Sequence, residues 1–220
     1  MNNILIAPST DPSPIDTLPE YVHALQLAKA DWLHCDIMDG QFVPKTTFDE
    51  ITLSIISKRT SMPKDVHLMM VDPITKIPAY IHAGADIVTF HYEAYADPND
   101  IINAITTIKK LGKRAGLSIK PDNNPECLIP YLHLVDLVLV MSVEPGKSGQ
   151  AFLPNSLDKI QWLAQYRLEH NLAFLIEVDG GVNINNIQLV KSAGADVVVS
   201  GSAIYNAENR AEYIQSLRDA

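Results

Sequence analysis

The run Val135-Asp136-Leu137-Val138-Leu139-Val140-Met141 decides the fold class, because it has the length of a β-strand and is apolar almost throughout. A strand with one face in water alternates apolar and polar side chains, whereas a strand of a parallel sheet is buried on both faces. Similar runs recur along the chain at roughly one per 25–30 residues, the length of a strand–helix unit. The predicted strands are Ile4–Pro8, Trp32–Ile37, Asp65–Met70, Ile87–His91, Ala115–Ile119, Leu137–Met141, Phe174–Val178 and Val197–Ser200.

The segments between these runs change to helical spacing, with apolar residues three to four positions apart. Pro73 and Pro98 stand where helices are expected to start. Gly84, Gly112 and Gly194 suit the left-handed position that closes a helix before the next strand. The clearest predicted helices are Leu18–Ala28, Ile101–Leu111, Ser156–Tyr166, Ile184–Ala193 and Ala207–Leu217.

Strands and helices that alternate in this way predict an α/β protein with the architecture of a (β/α)8 TIM barrel. A doubly wound open sheet is the alternative, because it is built from the same strand–helix units. Polar residues follow many of the strands instead of one switch point, which favours the barrel, where all strand ends converge on one site. No linker or composition shift divides the chain, so residues 1–220 are expected to form a single domain.

Composition narrows the classes of partner. The 220 residues carry a net charge of −9, which argues against broad binding to nucleic acid or to an anionic membrane. Cys35 and Cys127 form no disulfide framework and have no zinc-ligand spacing. The sequence contains no apolar run of membrane-spanning length and no targeting pattern at its start, so a cytoplasmic enzyme or binding protein is expected.

The stretch Leu33–Pro44 begins as a strand and ends as a loop, and it places His34 and Asp36 on one strand face. Either this pair belongs to a buried hydrogen-bond network, or it supplies a metal ligand and a carboxylate base. His67 and Asp179 lie at the ends of two other strands. Two His and two Asp side chains can hold one divalent ion, and zinc, iron, manganese and cobalt all suit this set.

Glycine-rich phrases follow the last two strands, at residues 179–183 and 200–203. Loops in these positions of a barrel often bind phosphate through backbone N–H groups, although such phrases also form plain tight turns. A third loop, residues 144–150, adds backbone donors, a hydroxyl and the cation of Lys147, which either binds phosphate or is simply solvated.

Six motifs in order resemble the ribulose-phosphate 3-epimerase family along nearly the whole chain. They are Ile6-Ala7-Pro8-Ser9, residues 34–44 with His34-x-Asp36-Ile37-Met38-Asp39-Gly40, Asp65-Val66-His67-Leu68-Met69, residues 140–150 with Pro145-Gly146, Glu177-Val178-Asp179-Gly180-Gly181, and Val199-Ser200-Gly201-Ser202-Ala203. Inverting a carbon next to a ketone removes a proton from one face and delivers one to the other, which requires two carboxyl groups.

The resemblance implies a phosphorylated ketose substrate, one divalent metal ion with zinc or iron favoured, and a homo-oligomer. It implies metal ligands at His34, Asp36, His67 and Asp179, with Asp36 and Asp179 as the acid–base pair acting through an enediolate that the metal stabilises. It further implies that substrate-binding residues lie at the strand ends and in the loops. They are Ser9, Met38, His67, Met69, Met141, Gly146, Lys147, Ser148, Gly149, Gly180, Gly181, Gly201 and Ser202.

The chain departs from the family pattern at residues 10–14, at Lys147-Ser148 and at Lys120. These departures leave the proposed metal and acid–base residues intact but bear on the sugar. We expect exchange between D-ribulose 5-phosphate and D-xylulose 5-phosphate, and a six-carbon substrate such as D-allulose 6-phosphate is the alternative. A non-catalytic sugar-phosphate-binding barrel and a metal-free decarboxylase or synthase that uses Lys120 are further alternatives.

Overall fold

The computed structural model describes residues 4–220, and it contains eight parallel strands in these residues. All eight lie where the apolar runs predict them, and no strand end differs from its predicted position by more than one residue. The strands are β1 (Leu5–Ala7), β2 (Leu33–Met38), β3 (Lys64–Met69), β4 (Ile87–His91), β5 (Arg114–Ile119), β6 (Leu137–Met141), β7 (Leu175–Asp179) and β8 (Val197–Val199).

Helices connect the strands and cover the outside of the sheet. They are α1 (Leu18–Leu27), α2 (Glu50–Ser57), α3 (Ile77–His82), α4 (Pro98–Lys110), α5 (Ser156–Glu169), α6 (Ile187–Ala193), α7 (Ser202–Tyr205) and α8 (Arg210–Asp219). Between β5 and β6 the described chain forms only a short 3₁₀ helix, Pro125–Leu128. No helix in residues 4–220 combines the length and the apolar character needed to cross a membrane.

Two helices begin three residues later than their spacing predicts, and polar side chains explain both. Asn183 and Asn186 hold a turn before α6, where the Asn183 amide donates to Asn186 Oδ1 at 2.8 Å. Before α8, the Asn209 side chain accepts a hydrogen bond from the Glu212 amide and so caps the helix. Gly194 closes α6 with a φ of 110°, as the sequence predicts.

The strands form one sheet in the order β1-β8-β7-β6-β5-β4-β3-β2, and the sheet closes between β1 and β2. At this seam Ser9 and His34 form a parallel bridge. The His34 amide donates to Pro8 O at 3.0 Å, and the Thr10 amide donates to His34 O at 2.9 Å. The closed sheet confirms the (β/α)8 barrel and rules out the doubly wound open sheet.

The two faces of the strands have different surroundings, because successive side chains alternate between them. Outward side chains such as Ile37, Leu68 and Phe90 pack under the helices in the main hydrophobic core. The interior of the barrel has an apolar side and a polar side. The side chains of β6, β8 and β1 make it apolar on one side, with Leu139 and Val199 among them. Buried polar side chains of β2 to β5 and β7 occupy the other side.

Candidate functional site

The carboxyl ends of β2, β3 and β7 bring four potential metal ligands together. One donor atom from each of His34, Asp36, His67 and Asp179 lies within 4.8 Å of the other three. Strand register explains part of this, because Asp36 pairs with His67 across β2 and β3. The first three side chains are buried and Asp179 is partly exposed, so the cluster faces the open end of the barrel.

The donor set fits a divalent cation. His34 Nε2 is buried and makes no hydrogen bond, although Asp36 Oδ1 lies 3.3 Å away. His67 Nδ1 lies 3.2 Å from the same oxygen. A buried nitrogen without a partner is costly, and a cation bound among these atoms would satisfy it.

A deeper pair of carboxyl groups supports His34 from the other side of its ring. Asp65 Oδ2 lies 2.6 Å from His34 Nδ1, close enough to accept a hydrogen bond from the Nδ1–H group. The other ring nitrogen, Nε2, then faces the cluster. Glu177 Oε1 lies 3.6 Å from the same nitrogen, and both Glu177 oxygens are buried without a hydrogen-bond partner. Asp65 and Glu177 are fully buried, so this layer lies beneath the cluster and away from solvent.

Opposing charges set the protonation of the pair on β2. Burial alone would raise the pKa of Asp36, but the neighbouring His34 and His67 side chains bring that pKa well below its usual range. Burial alone would lower the pKa of His34, but Asp36 and Asp65 hold it well above the ordinary value. A cation that binds His34 must therefore displace a proton, so metal binding is expected to weaken at low pH.

The two acidic residues of β7 titrate in the opposite direction. Burial raises the pKa of Asp179 to about 7, and the negative charge of Asp36 contributes to this. Burial and the Asp65 carboxylate raise the pKa of Glu177 to about 8. The site therefore pairs an ionised Asp36 with an Asp179 whose pKa lies near neutrality, so the two carboxyl groups differ in their capacity for proton transfer.

Ser9 connects the seam of the barrel to the cluster. Its hydroxyl donates to Asp36 Oδ2 at 2.6 Å and accepts a hydrogen bond from the Asp11 amide at 3.0 Å. One carboxylate oxygen of Asp36 is thus held by Ser9, and the other faces the two histidines. The loop after β1 fixes the orientation of Asp36 through this contact.

A cavity opens above the cluster. It is lined by Asp36, Asp179 and every residue that the sequence predicts to contact substrate except His67, whose ring lies behind Asp36. Met38, Met69 and Met141 form its apolar wall, and the glycine-rich loops after β6, β7 and β8 form its rim. Residues that line it without having been predicted are Asp11, Val143, Glu144, Pro145, Gln150 and Val199.

The rim loops pack against one another. A Cβ at Gly181, which has a φ of 66°, would lie 2.5 Å from the Phe152 backbone nitrogen, so only glycine fits here. The Gln150 side chain donates to the carbonyl oxygens of Glu144 and Lys147 at 2.7 and 2.8 Å and so folds the loop after β6. Lys147 and Ser148 are exposed on that loop.

An ion pair at the cavity rim is formed by two residues that were not among the predicted site residues. Lys45, from the loop after β2, binds the Asp11 carboxylate from the loop after β1. The Asp11 side chain is 4% exposed and that of Lys45 is 41% exposed, so the cation covers the carboxylate from the solvent side. The unusual residues 10–14 therefore place a compensated negative charge beside Ser9 in the cavity.

Comparison with known proteins gives consistent relatives. The model of the ribulose-phosphate 3 epimerase family matches residues 5–205. The ribulose-phosphate 3-epimerase of Synechocystis sp. is 41% identical over 218 residues, covering 99% of this chain and 94% of that protein. The chloroplastic ribulose-5-phosphate-3-epimerase of Arabidopsis thaliana is 39% identical, covering 99% of this chain and 77% of that protein.

Solved structures with lower sequence identity share the fold. KGPDC from Streptococcus mutans aligns with a TM-score of 0.71 and 13% identity, covering 100% of this chain and 96% of its own. A 3-hexulose-6-phosphate synthase aligns with a TM-score of 0.63 and 21% identity, covering 99% of this chain and 98% of its own. At these identities the likeness concerns the barrel alone.

Proposed function

Because the chain belongs to the ribulose-phosphate 3-epimerase family and is an isomerase acting on a ketose phosphate, we propose that it interconverts D-ribulose 5-phosphate and D-xylulose 5-phosphate by inverting C3. The observation that carries this proposal is the cluster of four donor atoms within 4.8 Å at the floor of the cavity. Two of the four residues are carboxyl groups, the number that proton removal and redelivery on opposite faces of one carbon require.

The residues that would hold a divalent cation are His34, Asp36, His67 and Asp179. When bound, the cation supplies Lewis-acid stabilisation of the negative charge that develops on the substrate as the C3 proton leaves. Imidazole and carboxylate donors suit zinc, iron, manganese or cobalt, and the family resemblance favours zinc or iron.

In the proposed reaction Asp36 and Asp179 exchange roles between the two directions. The ionised carboxylate removes the C3 proton from one face, and the protonated partner delivers a proton to the other face. The Ser9 hydroxyl holds one Asp36 oxygen at 2.6 Å and so limits the carboxylate to one orientation. Met38, Met69 and Met141 give the cavity an apolar wall, which keeps water from the intermediate.

The substrate phosphate is proposed to bind at the glycine-rich rim. Gly180, Gly181, Gly201 and Ser202 line the cavity after β7 and β8, where barrels of this kind offer backbone N–H groups to phosphate. The loop 146–149 lines the same cavity and adds the Lys147 cation. Donors on this rim would offset the overall charge of −9, which otherwise repels an anionic substrate.

The experiment that tests the proposal follows the C3 proton of D-ribulose 5-phosphate in deuterated water by NMR. We expect deuterium to enter at C3 as D-xylulose 5-phosphate forms, with loss of exchange after treatment with a chelator and recovery after addition of zinc or iron(II). Absence of exchange with every metal tested would contradict the proposal. The same assay with D-allulose 6-phosphate decides between the five-carbon and six-carbon substrates.

Lys45→Met should raise KM for the ketose phosphate about three- to tenfold while kcat stays within about twofold. The substitution leaves the buried Asp11 carboxylate without its counter-ion, and that charge then repels the substrate phosphate in the same cavity. Initial-rate kinetics at low ionic strength measure the effect, which salt should reduce. Lys58→Met, an exposed change at the end of α2, is the matched control. An unchanged KM would mean that the charge of Asp11 does not affect substrate binding.

Self-association and a cytoplasmic location stay predictions. The first comes from the family resemblance, and the second comes from the sequence.

A further inference from the structure

We infer that Glu93 and His91 are positioning residues that fix the tautomer of His67, so that the Nδ1 lone pair of His67 points at the proposed cation site. The inference rests on the proposed function, because it concerns the same cluster. Neither Glu93 nor His91 lines the substrate cavity, and the mechanism gives them no other role. A chain of polar contacts runs inward from Glu93, just beyond β4, through His91 to His67 in the cluster.

Glu93 is an acceptor at the outer end of this chain of contacts. Its Oε1 accepts hydrogen bonds from the Lys120 amide at 2.7 Å and from the Asn123 side chain, and its Oε2 lies 3.1 Å from His91 Nδ1. Burial alone would raise the pKa of Glu93, but the hydrogen bond with His91 helps to bring that pKa below its usual value. An ionised carboxylate only accepts, so His91 Nδ1 must carry the proton in this contact.

His91 passes this constraint to the next ring. It is fully buried between Glu93 and His67, and as a neutral imidazole it has only one N–H group. With that group on Nδ1, its Nε2 is an acceptor. His67 Nε2 lies 2.9 Å from it, and a hydrogen bond between the two nitrogens requires the proton to be on His67 Nε2.

His67 is then left with a free lone pair on Nδ1. As a neutral imidazole this ring also has one N–H group, and the contact with His91 places it on Nε2. Nδ1 lies 3.2 Å from Asp36 Oδ1, so two acceptors face each other across the site, an arrangement that a bound cation satisfies. The reversed order of protons would direct a bare His91 nitrogen at the Glu93 carboxylate, which is repulsive at 3.1 Å.

Neighbouring side chains enclose the contact between the rings. The Phe42 ring lies 4.9 Å from the His91 ring, and Lys120 Nζ lies 4.4 Å from the centre of the Phe42 ring. The His67 and His91 rings are 4.9 Å apart with both residues fully buried. Water is thereby kept from competing for these hydrogen bonds, so the proton order set at Glu93 reaches His67.

The first test is the affinity of the purified protein for Zn²⁺, measured by competition with a chromophoric chelator. Glu93→Gln replaces one acceptor oxygen with an NH₂ group, and His91→Phe keeps a ring but removes the acceptor for His67 Nε2–H. We expect each variant to bind zinc about 10–100-fold more weakly. Glu126→Gln, an exposed change in the connection between β5 and β6, should bind zinc as tightly as the wild type. Circular dichroism of the metal-free proteins verifies that the variants are folded.

The second test needs no variant. Nitrogen-15 NMR of the zinc-loaded wild type should show His67 protonated on Nε2 and bound through Nδ1, with His91 protonated on Nδ1. A folded Glu93→Gln protein with zinc affinity within about twofold of the wild type, or a His91 protonated on Nε2, overturns the inference. A wild type that binds no zinc, iron(II), manganese(II) or cobalt(II) overturns the proposed function, and the inference with it.

Discussion

Asp36→Asn should lower kcat by about a thousandfold or more at saturating metal and substrate, because one substitution removes two functions. The amide cannot carry a proton between the faces of C3, and it offers a weaker, neutral oxygen to the cation. The change is nearly isosteric, so the Ser9 hydroxyl can still donate to the remaining oxygen. Turnover of the ketose phosphate, measured with each metal in excess, determines the loss.

The control for this prediction is Asp158→Asn, which neutralises an exposed carboxylate in the first turn of α5, on the outside of the barrel. Its kcat and KM should stay within about twofold of the wild type. If Asp36→Asn kept full turnover while binding metal normally, the assignment of Asp36 to proton transfer would be wrong, and another group would have to serve as the base.

Glu177→Gln should make the metal-free protein more stable at pH 9 and leave it nearly unchanged at pH 5. Burial and Asp65 raise the folded-state pKa of Glu177 from 4.5 to about 8, so the fold binds a proton that the unfolded chain releases at lower pH. Stability from this group is therefore complete at low pH and is lost as pH rises from about 4.5 to about 8. The amide cannot ionise, so the variant escapes a loss of up to about 4 kcal/mol between pH 5 and pH 9.

Urea unfolding in the presence of a chelator measures this difference across the pH range. Glu208→Gln, an exposed carboxyl, is the matched control and should follow the wild type at every pH. A difference between Glu177→Gln and the wild type that stays constant with pH would mean that Glu177 is not protonated in the folded state. The buried acid beneath His34 would then be an ion that another group neutralises.

The architecture could be predicted from the sequence because a parallel barrel buries both faces of each strand. Apolar runs such as Leu137–Met141 therefore stand out against the helices. α2 was harder to recognise, because its Ile51 and Ile55 are exposed and blur the helical pattern of apolar residues. The spacing of apolar residues also does not predict the exact start of α6, because that start depends on a turn formed by asparagine side chains.

For the site, strand alternation and the family resemblance led to the four residues that the structure brings together. Roles for Asp65, Glu177, His91 and Glu93 could not be assigned in the same way. Their partners depend on the register between neighbouring strands and on which side chains meet across the barrel interior, and the order of residues in the chain does not give this. The ion pair of Asp11 could not be predicted from the sequence, because Lys45 lies 34 residues away in another loop.

The seam between β1 and β2 provides a way to follow the site without substrate. Two backbone amides cross it, that of His34 towards Pro8 and that of Thr10 towards His34. Both flank residues of the proposed site, so any opening that separates Ser9 from Asp36 must also expose them to solvent. The hydrogen-exchange rates of these two amides therefore report how often the barrel opens at the seam beside the proposed site.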